Sequence, residues 1–236
     1  MATIEGTTTR SAWLTGVRRA MPLVLGYTPI AFAMGVLAQK AGLSTFNTLA
    51  MSLLVYAGSA QLIAVGLFGA GAPSLTIVIT TFIVNLRHLL LSAAISPKLK
   101  GWRRGEIAAF AYELTDETFA VHAADPAPQL DKGVAFGLNL TAQIVWVLGT
   151  WLGIAAGQVI QDVRPLALDY ALPAMFIALL LMQIKDRIQV GVAVLTGLLS
   201  VVLLLAGLDQ WSVIAATVIG ATVGLGVETW IKRRSS

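Results

Sequence analysis

An arginine, a histidine and an asparagine interrupt a stretch that is otherwise apolar enough to cross a lipid bilayer. The stretch covers residues 75–95, and Asn85, Arg87 and His88 lie within it. A charged side chain at the bilayer centre costs roughly 2.5 kcal/mol or more, so an intramembrane arginine usually faces a bundle interior and marks a functional site. The alternative is that Arg87 lies near a helix end and snorkels to the surface. Its depth, roughly 18 Å from Leu75 along a helix, favours the buried role.

A second polar cluster contains three carboxylates, Glu113, Asp116 and Glu117, at spacings of three and four residues. On one continuous helix these positions share a face, and like charges this close do not all ionise cheaply. The cluster is therefore predicted to exchange a proton near neutral pH and to couple transport to protons. The alternative is an amphipathic surface helix with a solvated acidic face, neutralised by the basic residues at 98–104. Arg87 is the other candidate counter-ion.

The composition places these clusters in a membrane protein. The 236 residues are 57% hydrophobic and 12% charged, with a mean hydropathy of +0.80, whereas a typical soluble domain is about 25% charged. The net charge of +4 comes from bases in short segments between apolar runs, which favours lipid headgroups over nucleic acid as partners. The chain has no cysteine and two histidines, so neither a metal site nor a cofactor is expected.

The apolar runs predict an all-α polytopic membrane protein with about seven transmembrane segments, some of them broken or re-entrant. The candidate segments are 21–39, 49–68, 75–95, 134–160, 166–184, 190–208 and 213–230, with 107–123 as a doubtful one. Residues 1–20 are expected to form a polar cytoplasmic segment, 21–230 a single transport domain and 231–236 a basic tail.

The basic residues conflict with a simple count of spans. The positive-inside rule places the groups around Arg19 and Lys98 in the cytoplasm, whereas three full spans between them would put the two groups on opposite sides. The segment that holds Gly58, Ser59 and Gln61 is the best candidate for a re-entrant element, because a Gly-Ser step weakens a helix and frees backbone groups.

Proline and glycine recur where helices would be interrupted. Pro22 and Gly26 lie in the first segment and Pro173 in 166–184. Broken helices at corresponding positions of two halves point to a midplane substrate site, and the halves would be 21–123 and 133–230. The alternative is that the kinks only help the helices to pack.

Two stripes of small residues recur at four-residue spacing. They are Gly149, Gly153 and Gly157, and Ala216, Gly220 and Gly224. Such stripes let helix backbones approach closely, either within one chain or between chains. They indicate packing rather than chemistry.

Four blocks of sequence, taken in order, resemble the AzlC family, the large subunit of bacterial branched-chain amino-acid exporters. The blocks are Pro22 to Gly35, Tyr56-Ala57-Gly58-Ser59-Ala60-Gln61, Asn85-Leu86-Arg87-His88 and Thr115-Asp116-Glu117-Thr118-Phe119. The resemblance covers essentially 21–230. The family's recurring positions correspond here to Pro22, Gly26, Gly58, Gln61, Asn85, Arg87, Asp116 and Glu117.

The resemblance implies a multi-pass inner-membrane exporter of valine, leucine, isoleucine and similar apolar amino acids. It also implies a small hydrophobic partner subunit of the AzlD type. Tyr56 and Ser59 stand where phenylalanine and alanine are frequent in the family, which implies a shifted substrate preference.

The expected mechanism is alternating access around an interrupted-helix site that binds a zwitterion. Arg87 is the natural bidentate partner of the substrate carboxylate. Gln61, Asn85 and free carbonyls near Gly58 are expected to accept from the ammonium, while Phe82 and Leu86 would form apolar walls. The predicted substrate-binding residues are Pro22, Gly26, Gly58, Ser59, Gln61, Asn85, Arg87 and His88. No phosphate-binding GxxxxGK[ST] motif occurs, so a proton or ion gradient is the expected energy source.

Two other classes of protein remain in competition with this interpretation. A channel, or a carrier for another small polar solute, would also line a path with polar residues. An intramembrane enzyme is disfavoured, because the sequence contains neither G-x-S-x-G nor H-E-x-x-H. We therefore expect a transporter and not an enzyme.

Overall fold

The computed structural model describes residues 9–160, 186–208 and 211–235, together with positions 170, 174, 177, 180, 181 and 184. Within these residues the chain is helical and contains no strand, which confirms the all-α prediction. The chain divides into two compact units, 1–175 and 176–236, which are considered separately. Most of the predicted segment 166–184, including Pro173, lies outside the described residues, as do residues 1–8 of the polar N-terminal segment.

Unit 1 is built around a long first helix. Its helices are α1 (Thr9–Lys40), α2 (Thr45–Leu54), α3 (Gly58–Gly69), α4 (Ser74–Asn85), α5 (Arg87–Ile95), α6 (Arg104–Tyr112), α7 (Asp116–Ala124) and α8 (Lys132–Gly157), with a 3₁₀ turn at Ser96–Leu99 after α5.

The two longest helices, α1 and α8, run parallel and in close contact. A Cβ atom added at Gly16 would clash with the carbonyl of Val134, and one added at Gly35 would clash with that of Thr150. The contacts advance in the same order along both helices, which fixes their parallel direction. The stripe that includes Gly153 therefore packs inside the chain, against α1.

The segment 45–69 enters unit 1 and leaves it at the same end. Helices α2 and α3 have 10 and 12 residues, too short to span a bilayer, which needs about 20. A Cβ at Gly69, the last residue of α3, would lie 3.3 Å from the Cβ of Ala41, just after α1. The segment, here called the first hairpin, is therefore re-entrant. The sequence left two possibilities for this segment, a full crossing and a broken or re-entrant element, and the two short helices support the second.

The next segment crosses back toward the start of α1. Helices α4 and α5 form one apolar stretch, Ser74–Leu99, because Leu86 between them keeps right-handed helical angles. At its end the Lys98 ammonium donates to the carbonyl of His122 near the end of α7. Asp125, just after α7, pairs with Arg19 of α1. The span therefore ends at the same end of unit 1 as the start of α1.

The segment 104–124, here called the second hairpin, enters from that opposite end. Helices α6 and α7 have nine residues each. Glu106 at the start of α6 pairs with Lys132 at the start of α8, and Asp125 after α7 pairs with Arg19. The tip between the helices reaches Tyr27, whose hydroxyl lies 2.7 Å from that of Thr115. The second hairpin is re-entrant too, so 107–123 does not cross.

This topology resolves the conflict among the basic residues. One crossing by α1 and one by α4 and α5 return the chain to its starting end, so Arg19 and Lys98 lie together. The positive-inside rule then places this end in the cytoplasm. Residues 9–69 and 74–124 repeat one arrangement, a span followed by a re-entrant hairpin, in opposite directions. These boundaries differ from the predicted halves 21–123 and 133–230.

The described residues 186–208 and 211–235 of unit 2 form two antiparallel helices. Helix α9 (Arg187–Leu203) continues into a π-helical turn, Leu204–Leu208, and α10 covers Trp211–Ser235. Gly220 faces Thr196, and a Cβ at Gly224 would lie 3.2 Å from Val192. The second stripe of small residues therefore also packs within the chain. Across the described residues four helical stretches are long and apolar enough to cross a membrane, so the count of seven is not established.

Candidate functional site

Three helix breaks occur in unit 1: one at the tip of each hairpin, where the helix stops, and a milder one in the span between them, where helical angles continue through Leu86. They lie at 55–57, at Leu86 and at 113–115. Helix ends leave backbone groups without helical partners, and a bilayer tolerates this only where protein or water supplies partners. Tyr56 in the first break has a φ of 40°, a left-handed conformation that costs roughly 1–2 kcal/mol in a non-glycine residue. Such strain persists where the surroundings fix it, often at ligand sites.

The Arg87 guanidinium connects the two hairpins. Its Nη2 donates to the Ser59 hydroxyl in the first turn of α3, and its Nη1 forms an ion pair of 2.5 Å with Asp116 in the first turn of α7. The hairpin tips also touch directly, because the Tyr112 hydroxyl donates to the carbonyl of Leu53. The Arg87 side chain is 30% exposed, yet its partners lie inside the unit. It therefore does not snorkel.

The three predicted carboxyls do not share one helical face, because the helix breaks between them. Glu113 follows the last residue of α6, whereas Asp116 and Glu117 form the first turn of α7. The three groups consequently face different surroundings. Asp116 pairs with Arg87, Glu117 accepts from the Tyr27 hydroxyl at 2.8 Å, and the buried Oε2 of Glu113 has no partner.

A network of neutral groups holds the tip of the first hairpin. Gln61, buried in α3, accepts from the Trp146 indole at 3.0 Å and donates to the Ser52 hydroxyl at 3.0 Å. Ser52 in turn lies 3.2 Å from the Thr150 hydroxyl. A Cβ at Gly58 would lie 2.7 Å from the Trp146 ring, so only glycine lets the tip approach α8. This network positions α3 beside Arg87.

Buried polar atoms without a partner concentrate at the breaks. Among the described residues, six buried side-chain nitrogen or oxygen atoms lack a hydrogen-bond partner, and four of these lie at the breaks: Tyr56 Oη, Asn85 Oδ1, Arg87 Nε and Glu113 Oε2. Leaving such an atom unpaired costs about 1–3 kcal/mol. A small solute with donors at one end and acceptors at the other would satisfy this set.

The structure brings together most but not all of the predicted substrate-binding residues. Gly58, Ser59, Gln61, Asn85, Arg87 and His88 all lie at or beside the first two breaks, and the His88 Nδ1 is 3.1 Å from the Asn85 carbonyl. Pro22 and Gly26 lie on an exposed face of α1, and Phe82 and Leu86 are also exposed. These four side chains are not gathered around Arg87.

Sequence reasoning missed the groups that α1 and α8 contribute. Tyr27 is buried with its hydroxyl on Thr115 and Glu117, and it packs edge-on against Trp146 at 5.4 Å between ring centroids. The available signal was an aromatic residue with a polar end in the middle of an apolar run, which needs a buried partner for that end.

Charged contacts fasten the cytoplasmic end of the second hairpin. Asp125 accepts from the Ala127 amide at 2.9 Å and pairs with Arg19. These interactions lower the pKa of Asp125, with the backbone hydrogen bond as the largest cause and the Arg19 bond next. Lys98 caps the last carbonyls of α7, including that of Asp125. At the start of α6 the hydrogen bond from Lys132 lowers the pKa of Glu106.

The described residues contain no group of three or more His, Cys, Asp or Glu side chains placed to hold a metal ion. The groups around the breaks are hydrogen-bonding and charged side chains. Their cationic part is Arg87 and their anionic part is the set of carboxyls on the second hairpin.

A family model with the description AzlC protein matches residues 22–160, which include all three breaks. The chain belongs to the AzlC family. This confirms the family predicted from the four sequence blocks and assigns the opposed hairpins and Arg87 to the part of the chain that the family shares. No solved structure matches the chain.

Several relatives are similar along most of their length. An uncharacterized membrane protein of Archaeoglobus fulgidus is 35% identical over 87% of this chain and 90% of its own. The inner membrane protein YgaZ of Escherichia coli is 27% identical over 91% and 88%. The branched-chain amino acid transport protein AzlC of Bacillus subtilis is 26% identical over 90% and 82%. The predicted multi-pass location in the inner membrane is confirmed.

Proposed function

We propose that this protein is a secondary transporter that exports branched-chain and similar apolar amino acids. The substrate class is supported by the Bacillus subtilis relative, which is a branched-chain amino acid transport protein by name. The observation that carries the proposal is the position of Arg87, which holds the tips of two hairpins that enter the unit from opposite ends. A partly buried cation shared by two oppositely directed elements is suited to a substrate site that opens alternately to each side.

Arg87 is the proposed partner of the substrate carboxylate. Its guanidinium fork matches a carboxylate in bidentate geometry, and its Nε is buried without a partner. The start of α3 adds to the attraction, because Ala57 provides no side-chain cap for the first amides of that helix. Those amides carry the positive end of the helix dipole. The substrate carboxylate would therefore bind between Arg87 and Ser59.

The carboxyls of the second hairpin are the proposed route for coupling protons. Arg87 is the one cation that pairs with any of the three among the described residues, so full ionisation would leave excess negative charge in a partly dry setting. Asp116 is neutralised by Arg87, whereas Glu117 has a hydroxyl partner, Tyr27. Glu117 is accordingly the proposed proton carrier and Asp116 the counter-ion of Arg87.

The first test is transport of radiolabelled leucine into proteoliposomes. Arg87→Lys keeps the charge but loses the planar fork, so the rate should fall by about tenfold or more, and Arg87→Ala should abolish transport. Arg104→Lys, at an exposed position at the start of α6, is the matched control. Full transport by both Arg87 variants, or flux that never saturates with leucine, would contradict a carrier of this kind and favour a channel.

The second test separates coupling from binding. Glu117→Gln imitates the protonated acid, so leucine flux driven by a proton gradient should vanish while leucine exchange at equilibrium continues. Asp116→Asn should weaken both activities, because it leaves Arg87 without its counter-ion. Equal losses of both activities in Glu117→Gln would show that Glu117 serves binding or structure instead. If neither activity changes, the proton travels elsewhere.

A small hydrophobic subunit of the AzlD type is the proposed partner. This proposal rests on the family alone, because both stripes of small residues pack within the chain. The small subunit should copurify in mild detergent when the neighbouring gene is coexpressed, and it should be required for full leucine transport. Undiminished transport by this chain alone would show that the partner is dispensable.

A further inference from the structure

Two of the unpartnered polar atoms belong to the tips of the two hairpins, which touch each other through Tyr112 and Leu53. The Tyr56 hydroxyl belongs to the first break, and its side chain is only 3% exposed. The buried Oε2 of Glu113 belongs to the third break. Both are oxygen atoms that accept hydrogen bonds, and in a bilayer neither finds water easily. Both oxygens therefore lack hydrogen-bond partners that a bound donor group would supply.

The surroundings of Tyr56 are oxygen-rich and negative. Glu117, Glu113 and Tyr112 all lie within electrostatic reach of its hydroxyl. The Tyr27 hydroxyl is also near Tyr56, but its hydrogen bonds go to Thr115 and Glu117, which leaves the Tyr56 hydroxyl without a partner of normal geometry. Hydroxyl and carboxylate oxygens gathered in a desolvated place favour a cation with several N–H donors.

The cation-binding oxygens lie a short way from the carboxylate-binding arginine. Tyr56 precedes Ser59 by three residues, and Glu113 precedes Asp116 by three, while Ser59 and Asp116 are the two partners of Arg87. Three residues of extended chain span at most about 10 Å. The two subsites are therefore near neighbours along both hairpins, as recognition of one small zwitterion requires.

We propose that the Glu113 carboxylate and the Tyr56 hydroxyl bind the α-ammonium group of the substrate. This inference rests on the proposed function and deepens it. The transporter binds both charged groups of the zwitterion and therefore rejects carboxylic acids that lack the ammonium. It also replaces a sequence-based expectation, because the Gln61 amide oxygen is occupied by Trp146. Gln61 thus supports the site without contacting the ammonium.

The bound ammonium would also act on the coupling carboxyl. A positive charge held by Glu113 disfavours a second positive charge nearby, so substrate and proton oppose each other in the same centre. Opposed occupancy gives exchange of substrate for proton, which is the sign that export against a gradient requires. The charged and titratable groups near this centre are Glu113, Glu117 and Tyr112 around the Tyr56 hydroxyl, and the Arg87–Asp116 ion pair.

The test uses three probes of the same shape: leucine, 4-methylpentanoate, which lacks the ammonium, and 3-methylbutylamine, which lacks the carboxylate. Their affinities are measured on the purified full-length protein by competition against radiolabelled leucine or by direct calorimetry. In Glu113→Gln the affinities for leucine and the amine should fall by about 10- to 100-fold, the loss expected for one hydrogen bond to a charged group. The affinity for 4-methylpentanoate should stay the same.

Further variants make the result specific. Arg87→Ala should show the reverse selectivity, losing affinity for the acid and keeping the amine. Tyr56→Phe should weaken the binding of leucine and of the amine by about 10-fold or more, as expected for one hydrogen bond to a charged group. Glu113→Asp should recover part of the affinity for both. Glu106→Gln, on the exposed start of α6 and paired with Lys132, is the control.

Equal losses for all three probes in Glu113→Gln, or unchanged affinity for leucine, would overturn the inference while leaving leucine transport by the wild type intact. A wild-type protein that neither binds nor transports leucine would overturn the proposed function itself. Thermal unfolding of each variant in detergent shows that it is folded before its affinities are compared.

Discussion

The two re-entrant hairpins of unit 1 have the same shape and opposite chemistry. Each consists of two short helices with a break that reaches the centre, and each follows a span. The first hairpin carries neutral groups, Ser52 and Gln61, in a closed network with α8. The second carries carboxyls. The first hairpin therefore serves to position α3, and the second supplies charged groups.

The starts of α3 and α7 show what this difference does. Helix α7 is capped by the Thr115 side chain and has two acidic residues in its first turn, so its positive end is compensated. Helix α3 has no side-chain cap and no acidic residue there. The first tip therefore attracts an anion and the second a cation. A zwitterion is the simplest solute that suits both, and Arg87 lies between them.

The largest effect is predicted for a substitution that disrupts the packing of α8 on α1, the two helices that support both hairpins. Leucine at Gly153 would force α8 away from α1, because even a Cβ there clashes with the backbone of Phe32. Overpacking against backbone costs about 3 kcal/mol or more. Gly153→Leu should therefore abolish folded protein in fluorescence-detected size-exclusion chromatography. Gly26→Ala, where nothing lies within 4 Å, is the control and should remain folded; normal elution of Gly153→Leu would contradict the packing.

A middle-sized effect tests whether the first hairpin is the structural one. Gln61→Leu leaves the buried Trp146 indole and the Ser52 hydroxyl short of partners, at about 2–4 kcal/mol. Tyr27→Phe removes one hydroxyl at the second tip, where Thr115 keeps its bonds with Thr118, at about 1 kcal/mol. The melting temperature should therefore fall clearly more in Gln61→Leu than in Tyr27→Phe.

The two variants should also differ in how they change transport. Tyr27→Phe removes the donor to Glu117, so it should change the pH dependence of gradient-driven leucine flux. Gln61→Leu should lower flux and exchange together through loss of folded protein. An equal loss of stability in both variants would mean that the hairpins do not divide structure and charge between them.

Sequence reasoning identified the chemical groups better than their arrangement. Arg87, the carboxyls and the weak helix at Gly58 stand out because polar residues in apolar runs are costly. The break before Asp116 does not stand out in the sequence. Thr115 acts as an N-cap only because α6 has already ended at Tyr112, and the prediction treated 113–117 as one continuous helix. Residue spacing on a continuous helix is a poor guide where tertiary contacts interrupt the helix.

The repeat was present in the sequence at different boundaries from those predicted. Tyr56 to Gln61 and Tyr112 to Glu117 both begin with tyrosine, have Ser or Thr at the fourth position and end with a Gln or Glu. The pattern is short, and the apolar residues on either side of it do not show how the two segments should be aligned. Only the opposed directions of the hairpins, which depend on long-range contacts such as Gly69 with Ala41, reveal that the two segments correspond.

The outer ends of the hairpins differ as well, and this difference gives the smallest predicted effect. The first hairpin ends at Gly69 beside the apolar side chain of Ala41, whereas the second is fastened by Asp125 to Arg19 and by Lys98 to the end of α7. Charge should therefore matter only for the second. Asp125→Asn keeps an acceptor for the Ala127 amide and removes the charge, which should cost about 0.2–1 kcal/mol.

Acid sharpens this last comparison. The pKa of Asp125 is lowered in the folded protein, so its stabilisation is fully present above its ordinary pKa of about 4 and is lost as the pH falls through the folded value. The melting temperatures of wild type and Asp125→Asn should differ at pH 7 and converge below about pH 4. At pH 7, hydrogen exchange in Asp125→Asn should rise in 104–124 and not in 45–69. A difference in melting temperature that persists in acid, or increased exchange in both hairpins, would show that the charge at Asp125 does not fasten the second hairpin.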